Sequence, residues 1–81
     1  MLIVKTHQRI VFIGAGQHLA VESSQTGQWQ LTVHPGRQVL FVGSQKVVRG
    51  VFEGIHHAIL ENWDDATHIY VDIEAVARMA Q

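Results

Sequence analysis

Apolar and polar residues alternate in short runs over the first half of the chain and recur at three- and four-residue steps over the second. Gly14 with Gly16, Gly27, Pro35 with Gly36, and Gly43 punctuate the first half. Between them lie β-branched runs at residues 2–6, 9–13, 17–23, 28–34 and 38–42, the pattern of an antiparallel meander of three to five strands. The pattern leaves open whether residues 2–13 form one bent strand or two.

One hairpin carries its own register. In Ser24-Gln25-Thr26-Gly27-Gln28, Gly27 suits the left-handed position of a three-residue loop with a bulge. That loop sets Glu22 opposite Gln30, Ala20 opposite Thr32 and His18 opposite His34. Parity agrees: Leu19, Val21, Trp29, Leu31 and Val33 fall on one face, and His18, Glu22, Gln28, Gln30, Thr32 and His34 fall on the other. The first face belongs to a core and the second to water.

After Gly43 the period lengthens. Ser44 is placed to cap a helix running to about Trp63, with Val48, Val51, Phe52, Ile55, Ile59 and Trp63 along one stripe that covers the sheet. Asp64, Asp65 and Ala66 break the stripe. His68-Ile69-Tyr70-Val71 reads as a last strand, and Asp72 is placed to cap a short helix over residues 73–80. The expected fold is α+β: a small antiparallel sheet, one long helix packed on one face, and a short C-terminal strand and helix.

Composition bounds the rest. Eighty-one residues make residues 1–81 a single domain, and 47% hydrophobic with 16% charged residues is too apolar for a disordered chain. A core this small supplies little net stability, so self-association would help it. The net charge of −1 draws the chain to no polyanion. The signs are unevenly distributed, however: Lys5, Arg9, Arg37, Lys46 and Arg49 stand against Glu22 before Gly50, whereas Glu53, Glu61, Asp64, Asp65, Asp72 and Glu74 stand against Arg78 after it. Such halves attract, within the chain or head to tail. There is no cysteine, so disulfides and thiolate metal sites are excluded. Lys5, His7 and Arg9 break the opening apolar run, which makes the cytoplasm the expected location and a membrane an unexpected partner. Nucleic acid is not expected either, because basic and aromatic residues are not interleaved.

The candidate motifs mostly resolve into structural ones. Residues 10–20, Ile-Val-Phe-Ile-Gly-Ala-Gly-Gln-His-Leu-Ala, superficially match a dinucleotide-binding glycine turn. Leu19 stands where a small residue is required, the residues after Gly16 alternate like a strand, and no carboxylate follows about 20 positions on. A plain turn is the better account. Six histidines are many for this length. His18 and His34 face each other on the wet side of the hairpin with Cβ atoms about 5 Å apart, yet no third ligand joins them and zinc requires three or four. Glu53, His57 and Glu61 share one face of the helix as a solvated, mildly paired triple. No serine carries the signature of an activated nucleophile. The sequence therefore assigns no catalytic residue, no cofactor and no metal ligand.

The most informative group is Gly50, Gly54 and Ala58. A glycine inside a helix costs roughly 0.8–1 kcal/mol relative to alanine, so two of them call for a close backbone approach in compensation. Ala75, Ala77 and Ala80 can supply the complement within the chain, and so can a second copy. His56, Leu60 and Trp63 extend apolar surface beyond the sheet-facing stripe. The candidate interface is thus Gly50, Gly54, His56, Ala58, Leu60 and Trp63. The sequence points to a small non-enzymatic interaction or regulatory protein, a homodimer or the partner of another protein, of a kind carried by phages and mobile elements. The alternative is a small-molecule or metal-binding protein, with or without enzymatic activity, that uses the histidine-rich face.

Overall fold

The computed structural model describes residues 1–62 and 68–80, and the α+β architecture is as the sequence pattern predicts. In chain order the elements are β1 (Leu2–Lys5), β2 (Ile10–Ile13), β3 (His18–Ser23), β4 (Trp29–His34), β5 (Gln38–Gly43), α1 (Gln45–Glu61), β6 (Ile69–Asp72) and α2 (Ile73–Ala80).

The strands differ from a single meander. Residues 2–13 form two strands joined by a tight loop, in which the Thr6 hydroxyl accepts from the amides of Gln8 and Arg9 and donates to the Arg9 carbonyl. The strands then divide into two sheets of three, ordered β2-β1-β6 and β3-β4-β5. In the first, β1 is antiparallel to β2 but parallel to β6, with Leu2 beside Ile13 on one flank and Ile69 on the other. A parallel partner needs a long crossover, here the whole of residues 6–68, and no local pattern announces it.

The second sheet is the meander. Its hairpin has the expected register, with His18 opposite His34, Ala20 opposite Thr32 and Glu22 opposite Gln30. Gly27 sits at φ +84°, a conformation open to glycine at no steric cost. Leu31 and Val33 are buried as expected, but so is Thr32, at 1% exposure on the face assigned to water. Thr32 lies on the central strand with Ala20 and Val39 as its cross-strand partners, so neighbours on both sides close over a short side chain. A bulge separates β4 from strict pairing with β5. Leu31 pairs with Phe41 and Thr32 with Val39, which leaves Leu40 unpaired and buried in the core.

Both sheets bury one face against α1. The Ser44 side chain accepts from the Val47 amide at the N-terminus of this helix, and Val48, Val51 and Ile55 are its buried residues. They join Val4, Val11, Ile13 and Val71 of the first sheet and Leu31, Val33 and Leu40 of the second in one core. At the far end the Asn62 side chain donates to the Ala58 carbonyl at 2.8 Å, and α1 ends there, short of Trp63, which lies outside the described residues with Asp64, Asp65 and Ala66.

Asp72 closes β6 and caps α2, its Oδ1 accepting from the amides of Glu74 (3.0 Å) and Ala75 (3.3 Å). Ile73 and Ala77 then turn into the core. The opposite charges of the two halves meet here, with Lys5 Nζ 3.9 Å from Asp72 and His7 Nδ1 2.9 Å from Glu74, exposed pairs that add little stability.

The seam between α1 and α2 explains the helix glycines. A Cβ added at Gly54 would stand 2.4 Å from Val76 Cγ1, and one at Gly50 would stand 2.5 Å from Ala80 Cβ. Two helices therefore approach at a separation that only the missing side chains permit. Gly54→Ala sets a propensity gain of about 1 kcal/mol against overpacking of about 1–3 kcal/mol. The expected net is a loss of about 1 kcal/mol in denaturant unfolding, partly relieved in Gly54→Ala/Val76→Ala; a higher melting temperature for Gly54→Ala would show that the seam is loose.

Candidate functional site

Five of the six residues singled out on and beside the long helix are described. Gly50 and Gly54 face α2 of the same chain. Ala58 is half-buried, while His56 and Leu60 are exposed, Leu60 at 61%. The neighbours of Leu60, His57 and Glu61, are exposed and pair with each other across one turn at 3.4 Å, so Leu60 stands in a polar setting. Trp63 lies outside the described residues.

The histidine-rich face of β3 and β4 is a built arrangement. The rings of His18 and His34 stack with centroids 5.5 Å apart and planes 28° from parallel. His34 Nε2 lies 2.9 Å from Glu22 Oε1. A carboxylate only accepts, so the imidazole donates and its tautomer is fixed. That hydrogen bond, helped by the nearby Thr32 hydroxyl and by the charges of His34 and Arg37, holds the Glu22 carboxyl below the ordinary range. The Thr32 Oγ1 itself completes no hydrogen bond within 3.5 Å. One imidazole is thus tied to a carboxylate and the other is only stacked on it. Among the described residues no group of three or more histidines and carboxylates is placed to hold a metal ion.

A third surface was not singled out by the sequence reading. On the first sheet Val4, Val11, Ile13 and Val71 point to the core, and Ile3, Ile10, Phe12 and Tyr70 lie on the opposite face. Across the three strands Phe12, Ile3 and Tyr70 form one row, with Ile10, Lys5 and Asp72 as the next. Phe12 is 59% exposed, Tyr70 57% and Ile10 56%. The strand β2 is Ile-Val-Phe-Ile throughout, and among the described residues its one hydrogen-bonded neighbour is β1. An edge strand is usually blunted by lysine, proline or a bulge, and within β2 there is none. The signal was present: an apolar run with no polar alternation inside a four-residue strand leaves two residues with no core to face.

Comparison with known protein families, curated proteins and solved structures finds no significant match. No helix among the described residues is long and apolar enough to cross a membrane.

The Glu22–His34 pair yields a signed pH prediction. A carboxylate with a depressed pKa contributes stability that is present above the ordinary carboxylate range and is lost as the pH falls through the depressed value. In His34→Ala the largest cause of the depression is gone, so the Glu22 carboxyl should titrate at higher pH, and the stability gap to the parent should narrow in acid. Carboxyl carbon shifts followed against pH read this directly; an unmoved Glu22 titration would show that the pair does not hold the charge.

Proposed function

We propose that this chain is a small non-enzymatic interaction protein of the cytoplasm that acts as a homodimer, and that the second copy docks on β2. The observation that carries this reading is the edge strand itself, four apolar residues hydrogen-bonded on one side only, with two large side chains in water. An unpaired ladder beside exposed apolar groups is a template for another strand, and the nearest available strand of matched pattern is β2 of another copy.

Symmetry narrows the geometry. A two-fold axis normal to the sheet keeps the outer faces of both copies on one side, so β2 can pair antiparallel with its copy only when centred on a residue. Centred on Val11, Ile10 of each copy stands beside Phe12 of the other. The two sheets then become one of six strands, with a continuous outer face formed by Phe12, Ile3, Tyr70 and their mates. A four-residue ladder is short, about 14 Å along the strand, and edge pairing buries only the flank of that strand. A standard interface takes about 800 Å² per partner. The association is therefore micromolar and reversible, as suits a regulatory contact. The glycine seam on α1 plays no part in it, since α2 fills that seam.

Sedimentation equilibrium tests the proposal. The parent chain should dimerise with a Kd in the micromolar range, and Ile10→Lys or Phe12→Glu, both at exposed positions, should give monomers with an unchanged circular dichroism spectrum. Ile10→Lys/Phe12→Glu should regain part of the affinity, because the introduced charges have opposite sign and face each other across the axis. Leu60→Asp should leave the dimer intact. A parent chain that stays monomeric at several hundred micromolar, or a dimer broken by Leu60→Asp alone, would sink the β2 interface.

A further inference from the structure

Where the C-terminal half of α1 leaves the two sheets, the core stays open. Leu2, Leu19, Phe52, Ile59 and Ile69 pack against the buried cluster without being buried themselves, and all five line one cavity of about 610 Å³. Its size is within the range of small-molecule sites, about 300–1,000 Å³. The floor is the last inner row of the first sheet, where Leu2 pairs with Ile13 and Ile69. Phe12 and Tyr70 belong to the opposite face of that sheet, so the cavity and the β2 surface are separate.

The polar side chains of the wall are few. Among its described residues are His18, His56 and Gln17, and no aspartate, glutamate, lysine or arginine. Five of the six histidines of the chain divide accordingly. His7, His34 and His57 each face a glutamate, at 2.9, 2.9 and 3.4 Å. His18 and His56, the two that line the cavity, have no hydrogen-bond or ion-pair partner among the described residues. Gln17 is oriented by the Gly14 amide, which donates to its Oε1 at 3.0 Å, so its NH₂ group is left as a donor. Two imidazoles without a hydrogen-bond partner among the described residues, one of them stacked on His34, and a fixed amide donor at the wall of an apolar cavity match a ligand with a hydrocarbon body and a single acceptor or anionic head. Among the described residues of the wall a polyphosphate finds no arginine or lysine, and a cation finds no carboxylate.

We propose that this cavity binds a medium-chain or aromatic monocarboxylic acid, with the hydrocarbon against Leu2, Phe52, Ile59 and Ile69 and the carboxylate received by His18, His56 and the Gln17 amide. The ligand covers five apolar side chains that the described residues leave half-buried.

Methyl-detected NMR titration with decanoate tests this, with 1-decanol and decyltrimethylammonium as probes of the head group. Decanoate should saturate with a Kd on the order of 10–100 µM. It should shift the methyls of Leu2, Ile55, Ile59 and Ile69 and leave Ile10, on the outer face, unmoved. The alcohol and the ammonium compound should bind about tenfold or more weakly, the loss expected for a charge-assisted hydrogen bond. The double variant His18→Thr/His56→Ala, at two exposed positions, should reduce decanoate to the affinity of decanol while decanol binding stays as it was, which shows the cavity intact. Equal affinity for decanoate and decanol would overturn the carboxylate assignment, and absence of saturable shifts would overturn the site. Cavity methyls that move on dilution of the ligand-free protein would also overturn it, because a second copy would then be the occupant.

Discussion

Everything in this fold depends on α1 having two sheets to cover. A three-stranded sheet with four- or six-residue strands cannot bury an apolar face by itself, and the chain has two of them. Val48, Val51 and Ile55 serve both, joining inner residues of each sheet in one cluster. One helix cannot also close the ends and outer faces of both sheets. The short α2 covers part of the deficit, and its approach at Gly50 and Gly54 lets it contribute Ile73 and Ala77 to the same core. What the described residues leave uncovered is a structural consequence of this economy: an outer sheet face, an edge strand and an open end of the core.

Much of this was legible in the sequence wherever the determinant is local. The Gly27 loop and the parity of residues 18–34 fixed the same hairpin register independently, and both are short-range signals. Ser44 and Asp72 act as caps because cap chemistry needs only the next three residues. The glycines of α1 pointed to a close approach, and the structure names Val76 and Ala80 as the groups approached. What local pattern could not supply is the division into two sheets. Leu2 pairs with Ile69 across nearly the whole chain, and a strand at one end carries no mark of a partner at the other. Thr32 shows the other limit, since parity tells which way a side chain points but not how completely its neighbours close over it.

The candidate surfaces follow the same division. The helix residues were chosen because they are small or apolar out of place, and for Gly50 and Gly54 the reason is internal packing. The histidines were grouped by abundance, whereas the structure separates them by what they face: carboxylates for His7, His34 and His57, and an apolar cavity for His18 and His56. The β2 edge was overlooked because an all-apolar strand reads as core until its topological position is known.

The parallel pairing of β1 with β6 also dictates an order of assembly. The β3-β4-β5 meander closes through short loops, and α1 follows it directly in the chain, so these contacts form at small entropic expense. The first sheet must instead bring the two ends of the sequence together, and long-range pairing of this kind slows folding. Until β6 arrives, the β1–β2 hairpin has one of its two strands incomplete on each flank and carries its apolar residues in water. That interval, rather than the finished state, is when wrong associations between chains are most probable.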